Sequence, residues 1–189
     1  NVTIPYKQQV IPLLDELDET AAEIGAVNVI KFIRKEGGLR LKGYNSDAIG
    51  FENSISPLLK GCHKKALILG TGGASKAIDY TLRKLGIITT FVSRTAKDGA
   101  LTYGQLTKDV MAEYLVIVNA SPVGTFPHVD ECPDIPYQFL GSNHLLFDAV
   151  YNPPLTLFLR KGQEQGAQVL NGEGMLIGQA QAAWKIWEE

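Results

Sequence analysis

The stretch Ala66-Leu67-Ile68-Leu69-Gly70-Thr71-Gly72-Gly73-Ala74-Ser75-Lys76-Ala77 decides how this chain folds. Its unbroken apolar start is the pattern of a strand buried on both faces, as in a parallel sheet covered by helices. Glycines then crowd the turn where a dinucleotide-binding loop belongs, between a strand and the helix that begins in it. Gly70 can turn the chain tightly because it has no Cβ to clash. Gly72 and Gly73 leave the backbone open to a pyrophosphate, whose charge a helix N-terminus favours. Ala77 is small enough for close packing of helix on strand. Ser75 stands where the commonest fingerprint has its third glycine. Residues Gly70, Thr71, Gly72, Gly73 and Ala74 are therefore the first cofactor-binding candidates.

Working outward, a helix is expected to run to about Leu85, with Gly86 as punctuation, before a second strand at Thr89-Thr90-Phe91-Val92-Ser93. An NAD-type site places an acid about 20 residues after the turn, on the ribose 2′-hydroxyl. Here the strand ends in Ser93-Arg94-Thr95-Ala96-Lys97, and no acid follows before Asp98. Arg94 can stack on adenine or pair with a 2′-phosphate, Ser93 and Thr95 can hydrogen-bond it, and Lys97 adds charge. This favours NADP(H). Leu115-Val116-Ile117-Val118 and Leu145-Leu146-Phe147-Asp148 read as two more buried strands. Strands alternating with helices imply βαβ units and a parallel sheet, an α/β protein.

Upstream, Val27–Ile33 and Leu39–Tyr44 are β-rich runs on either side of the polar turn Arg34-Lys35-Glu36-Gly37-Gly38, a hairpin signal. A helix opened by Asn45 or Ser46 should follow, with Ala48, Phe51, Ile55, Leu58 and Leu59 on one face. Pro57 weakens its last turn. From Glu173 to Trp187 a final helix offers Met175, Leu176, Ala182, Ala183 and Ile186 for packing, with Gln179 between apolar neighbours.

The 189 residues allow one domain or two small ones, and 45% apolar residues suffice for a sizeable core. Lys and Arg number 18 against 20 Asp and Glu, so no generic basic surface invites nucleic acid. No run approaches the roughly 18–20 apolar residues that span a bilayer, so no membrane partner is expected. Cys62 and Cys132 stand apart without a CxxC, which suits a reducing compartment; a cytoplasmic location is expected. His63, His128 and His144 lack metal-ligand spacing and read as scattered surface or turn histidines, so no metal site is expected.

Several further stretches, taken in order, resemble the shikimate dehydrogenase family over nearly the whole chain. Asn1-Val2-Thr3-Ile4-Pro5-Tyr6-Lys7 is similar to its lysine motif, Gly25-Ala26-Val27-Asn28 to its substrate asparagine motif, and Asn45-Ser46-Asp47-Ala48-Ile49-Gly50 to its aspartate motif, with Ser46 where Thr is usual. Gly70–Ala74 and Ser93-Arg94-Thr95 resemble its NADP loops, and Asn119-Ala120-Ser121-Pro122-Val123-Gly124 its loop near the nicotinamide. Tyr151-Asn152-Pro153 and Gly172–Gln179 complete the series.

The resemblance implies NADPH-dependent reduction of 3-dehydroshikimate to shikimate, a step of aromatic amino acid biosynthesis. It implies that Lys7 is the catalytic acid/base and Asp47 its partner. Thr3, Asn28, Asp47, Tyr151 and Gln179 would contact the substrate. Ala149, Gly172 and the Met175 region would lie near the nicotinamide, with Ala149 where methionine is often found. The implied architecture is a partial α/β substrate domain over 1–60, a Rossmann NADP-binding domain over 61–171, and a C-terminal helix over 172–189 that returns to the substrate domain. Two other readings are a quinate/shikimate dehydrogenase of broader specificity and an inactive NADP-binding fragment. The family carries roughly 60 residues, close to half a small domain, before its lysine motif. From a chain that starts at Asn1 the expectation is an unpaired sheet edge, self-association through it, and little activity.

Overall fold

The computed structural model describes residues 1–188 apart from Glu36, with Lys35 described by its backbone alone. The N-terminal part supplies β1 (Glu16–Leu17), α1 (Glu19–Ile24), β2 (Val29–Lys35), β3 (Gly38–Tyr44) and α2 (Asp47–Ile55). β3 is central, parallel to β1 and antiparallel to β2, so β2 forms an outer edge. The expected hairpin is present, though the middle of its turn, Glu36, lies outside the described residues. α2 begins after Ser46, whose side chain does not cap the helix; Asn45 Oδ1 instead accepts from the Ala48 amide at 3.3 Å. At Ser56 the helix gives way to a 3₁₀ turn containing Pro57.

The decisive stretch forms β4 (Lys65–Leu69) and α3 (Gly73–Lys84). Then come β5 (Ile88–Ser93), β6 (Ala100–Thr102), α4 (Lys108–Glu113), β7 (Val116–Asn119), β8 (Leu145–Asp148), α5 (Leu157–Glu164) and β9 (Gln168–Leu170). All six strands pair in parallel, in the order β6-β5-β4-β7-β8-β9. This is a Rossmann sheet, in which the strand order reverses beside β4 and opens a crevice at the carboxyl ends of the strands. The glycine turn sits at that crevice.

The strand alternation sends Ala66 and Ile68 to one core and Leu67 and Leu69 to the other. Phe51 of α2 joins the first core and meets Phe147 of β8 edge-to-face at 4.9 Å between ring centres. The final helix, α6 (Glu173–Glu188), buries Met175 in the same core and lies along α2. The contact is glycine-mediated: a Cβ on Gly50 would fall 2.4 Å from the Met175 carbonyl oxygen.

Two expectations are corrected and a third is narrowed. Leu176 is 40% exposed, because the helix face that meets α2 carries Met175 and Gln179 instead. Ala77 is fully buried, but it clusters with Ile24, Ala26 and Ala48, across to the N-terminal part. Of the surface or turn settings expected for the histidines, His63 and His144 take the turn setting and are buried. Nδ1 of each accepts a backbone amide three residues back, from Lys60 and Gly141, both at 3.0 Å, and Nε2 of each meets a backbone carbonyl. Burial holds the His63 imidazole below its ordinary pKa, consistent with that neutral pairing.

Candidate active site

Lys7 lies in the turn that follows Thr3, and its carbonyl accepts from the Val27 amide at 2.7 Å, which ties the turn to the entry of β2. Its Nζ stands 2.5 Å from Asp47 Oδ2. Asp47 opens α2, where a carboxylate is favoured by the helix dipole, and it is buried. Its other oxygen accepts from Asn28 Nδ2 at 2.9 Å. Asn28 Oδ1 accepts from the Ser46 amide at 2.7 Å, and the Ser46 hydroxyl reaches Gln179 Oε1 at 3.4 Å. Four separate segments therefore converge on one polar cluster. A lysine aligned by a carboxylate can give a proton as the ammonium and take one back as the amine, and the amides and hydroxyl beside it can hold a ring rich in hydroxyls.

Of the expected substrate residues, Lys7, Asn28, Asp47 and Gln179 are joined through this network. Thr3 and Tyr151 are exposed, and among the described residues neither side chain hydrogen-bonds to it. Ser46 links Asn28 to Gln179, a role its place in the aspartate motif did not reveal. The signal available in the sequence was its position directly before a buried helix-opening acid.

Beside the cluster lies a cleft of about 730 Å³, with Lys7 and Gln8 on one side and Gly70–Gly73, Ser93–Thr95, Lys97 and Ala120–Val123 on the others. Its walls carry Lys7, Arg94 and Lys97 and, among the described residues, no carboxylate. Gly70 has φ +119°, and a Cβ there would come within 3.2 Å of the Ala120 backbone. A Cβ on Gly73 would press on Lys7 Cβ at 3.1 Å, so this glycine also makes room for the lysine. Ser75 donates its hydroxyl back to the Gly72 carbonyl at 2.6 Å, bracing the turn at the place of the usual third glycine. Lys97 Nζ donates to Thr71 Oγ1 at 3.2 Å, joining the glycine turn to the loop after β5.

A phosphorylated dinucleotide fits these walls. Unencumbered amides at the start of a 12-residue helix suit its pyrophosphate, and the cations after β5 suit a further phosphate. Ala74 sits in the first turn of α3, outside the cleft walls. Ala149 and Gly172 also lie outside them and pack against each other, with the Ala149 carbonyl 2.3 Å from where a Cβ on Gly172 would be. Tyr103, which the sequence did not single out, lines the cleft, and burial pushes its phenol above the ordinary range. Among the described residues no cluster of His, Cys, Asp and Glu could hold a metal ion, and no helix is long and apolar enough to cross a membrane.

The family model described as the shikimate dehydrogenase substrate binding domain matches residues 1–30. A shikimate dehydrogenase (NADP(+)) of Halothermothrix orenii is 40% identical, 99% of this chain covering 71% of that protein. Another, of Aquifex aeolicus, is 39% identical, with coverages of 99% and 70%. The crystal structure of shikimate dehydrogenase from Aquifex aeolicus superposes with a TM-score of 0.84 at 37% identity, covering 99% of this chain and 70% of that one. Quinate dehydrogenase from Corynebacterium glutamicum in complex with NAD superposes at 0.83 with 28% identity, covering 98% and 71%. With the lysine–aspartate pair set beside a dinucleotide crevice and relatives of this similarity matched over most of their length, the chain belongs to the shikimate dehydrogenase family.

Proposed function

We propose that this chain catalyses the reversible, NADP-dependent reduction of 3-dehydroshikimate to shikimate, with Lys7 as acid/base. The observation that carries this reading is Lys7 itself: its Nζ is bound to Asp47 at 2.5 Å while its stem rests on Gly73 of the dinucleotide turn. One side chain thus borders both the substrate cluster and the cofactor crevice. NADPH, when bound, supplies the hydride for the carbonyl carbon. As negative charge develops on the carbonyl oxygen, the Lys7 ammonium donates a proton to it; in the reverse direction the neutral amine takes that proton back. Asp47 keeps the lysine in line and offers its second oxygen to Asn28, so orientation is set before substrate arrives.

Asn28, Asp47 and Gln179 hold the ring hydroxyls, with Thr3 and Tyr151 at the exposed rim. Gly70, Thr71, Gly72, Gly73 and Ala74 receive the pyrophosphate. Ser93, Arg94, Thr95 and Lys97 select the 2′-phosphate. Ala149 and Gly172 serve as backbone at the nicotinamide end. In this reading residues 1–60 and 172–189 form the substrate-binding part and 61–171 the cofactor-binding part. The separated free cysteines support a cytoplasmic setting, and the open edge of β2 supports self-association.

The test is an assay of shikimate and quinate, each with NADP⁺ and NAD⁺. The expected order places shikimate with NADP⁺ first, because the cleft walls carry cations and, among the described residues, no acid. Faster turnover of quinate with NAD⁺ would instead align the chain with the quinate dehydrogenase it resembles in structure. Lys7→Ala should lower kcat by roughly 10²–10⁴. An unchanged kcat would remove Lys7 from the acid/base role.

A further inference from the structure

Asn119 and Asp148, paired as the last residues of β7 and β8, meet Thr156 there, and none of the three has exposed surface. Buried polar groups are costly unless hydrogen-bonded, and these three use nearly all their capacity. Asn119 Nδ2 donates to Asp148 Oδ1 at 2.9 Å and to the Val123 carbonyl at 3.2 Å. Its Oδ1 accepts from the Ser121 amide and hydroxyl at 3.1 and 2.6 Å. Asp148 Oδ1 also accepts from the Val150 amide at 3.0 Å, and its Oδ2 from Thr156 Oγ1 at 2.5 Å. Thr156 Oγ1 accepts in turn from the Leu159 amide, capping α5.

The cluster ties together segments that lie far apart in the sequence. Ala120–Val123 form a wall of the cleft on the β7 side, opposite the loop after β5 that carries Arg94. In a sheet of this order the adenosine half of a dinucleotide lies over the β5 side and the other half over the β7 side. Val150 passes the connection on, because its carbonyl accepts from the Gly172 amide at 3.2 Å, directly before α6. A second tie joins the same loops where the Phe126 amide donates to the Asn152 carbonyl at 3.0 Å. Apolar packing cannot replace this hub, since a leucine at 148 would leave three donors unpaired.

We infer that Asp148, held by Asn119 and Thr156, is a positioning residue that sets the Ala120–Val123 wall against the start of α6 and so fixes the nicotinamide end of the cleft. It touches neither substrate nor cofactor and acts through the backbone of two loops. The inference rests on the cofactor reading proposed above.

Calorimetric titration of the chain with NADPH and with adenosine 2′,5′-bisphosphate, which carries only the adenosine half, tests it. Asp148→Ala should lose at least about tenfold more affinity for NADPH than for the bisphosphate, the scale of a misplaced contact. Asp148→Asn keeps an oxygen for Asn119 and Val150 and should recover most of that loss. Thr156→Val removes one hydroxyl and should lie between them; it carries the comparison with Asp148→Asn if Asp148→Ala does not fold. Equal losses for both ligands in variants with a native circular dichroism spectrum, or no loss of NADPH affinity, would overturn the inference. Failure of the unmutated chain to bind either ligand would overturn the cofactor reading itself, before any variant is compared.

Discussion

Asp47 has two oxygens and two tasks: one faces Lys7 Nζ and the other accepts from Asn28. Asp47→Asn keeps the shape but removes the charge that aligns the ammonium. Its expected effect is a fall in kcat of about 10²-fold, the cost of a small misalignment. A change confined to KM would show that Asp47 only binds. Asp148 is a second buried carboxylate, away from the lysine. Burial pushes it from 3.8 up to about 6, although Thr156, Val150 and Asn119 donate to it. Raised above its unfolded value, this group contributes stability that is present below pH 3.8 and lost as pH rises through about 6. The loss is about 3 kcal/mol in all, roughly half of it between pH 5 and 7.5. Asp148→Asn cannot titrate, so its melting temperature should gain on that of the unmutated chain as pH rises from 5 to 7.5. A constant gap across those melts would mean that Asp148 has the same affinity for a proton folded and unfolded.

Among the elements, the strands buried on both faces and the hairpin with its glycine turn were the legible ones. β4, β7 and β8 carry apolar runs and the glycine turn after β4 located the crevice, whereas β5, with Thr89 and Thr90 and an exposed Ile88, showed only a β-rich composition. β6 and β9 are three residues long and half-buried, too short for either a run or an alternation to stand out. The lysine, asparagine and aspartate of the site were legible through their motifs' resemblance to the family, not through any periodic pattern: Lys7 precedes every regular element and Asn28 lies just before β2. The Asp148 hub was not legible. Its partners lie 29 and 8 residues away in sequence; the pairing of β7 with β8 brings Asn119 to it, and the start of α5 brings Thr156. The resemblance implied that α6 returns to the N-terminal part, but the glycines through which it meets α2 were hidden, because glycines announce turns more often than helix contacts. Gly50→Ala would drive a methyl group into the Met175 carbonyl and the Gln179 amide, at 2.4 and 2.7 Å. Those are backbone atoms, so the helices must separate, at a cost of about 1–3 kcal/mol. Gln179 would move with α6, so a lower melting temperature should be accompanied by a raised KM for shikimate. Destabilisation with KM unchanged would uncouple the helix contact from the site.

For the whole molecule, the unusual surface is the one around β2 and α6. Leu176, Ala180, Trp184 and Trp187 recur along one exposed face of α6, and Trp184 is 61% exposed. Phe32 on the edge strand is 57% exposed, and the Trp187 indole donates to the Ile30 carbonyl, holding the helix beside that edge. An edge strand offers open backbone groups, and an apolar border beside it favours burial over solvation. The self-association proposed above would seat a second copy here, since two antiparallel edges of the same strand are complementary to one another. The net charge of −2 puts little repulsion in the way. Sedimentation velocity over a range of concentrations should therefore show a reversible shift above the monomer. Trp184→Lys, which places a charge in the apolar border without touching the cleft, should return the chain to the monomer while leaving NADPH affinity unchanged. A monomer at every concentration would show that this face stays solvated, and association that survives Trp184→Lys would move the interface elsewhere.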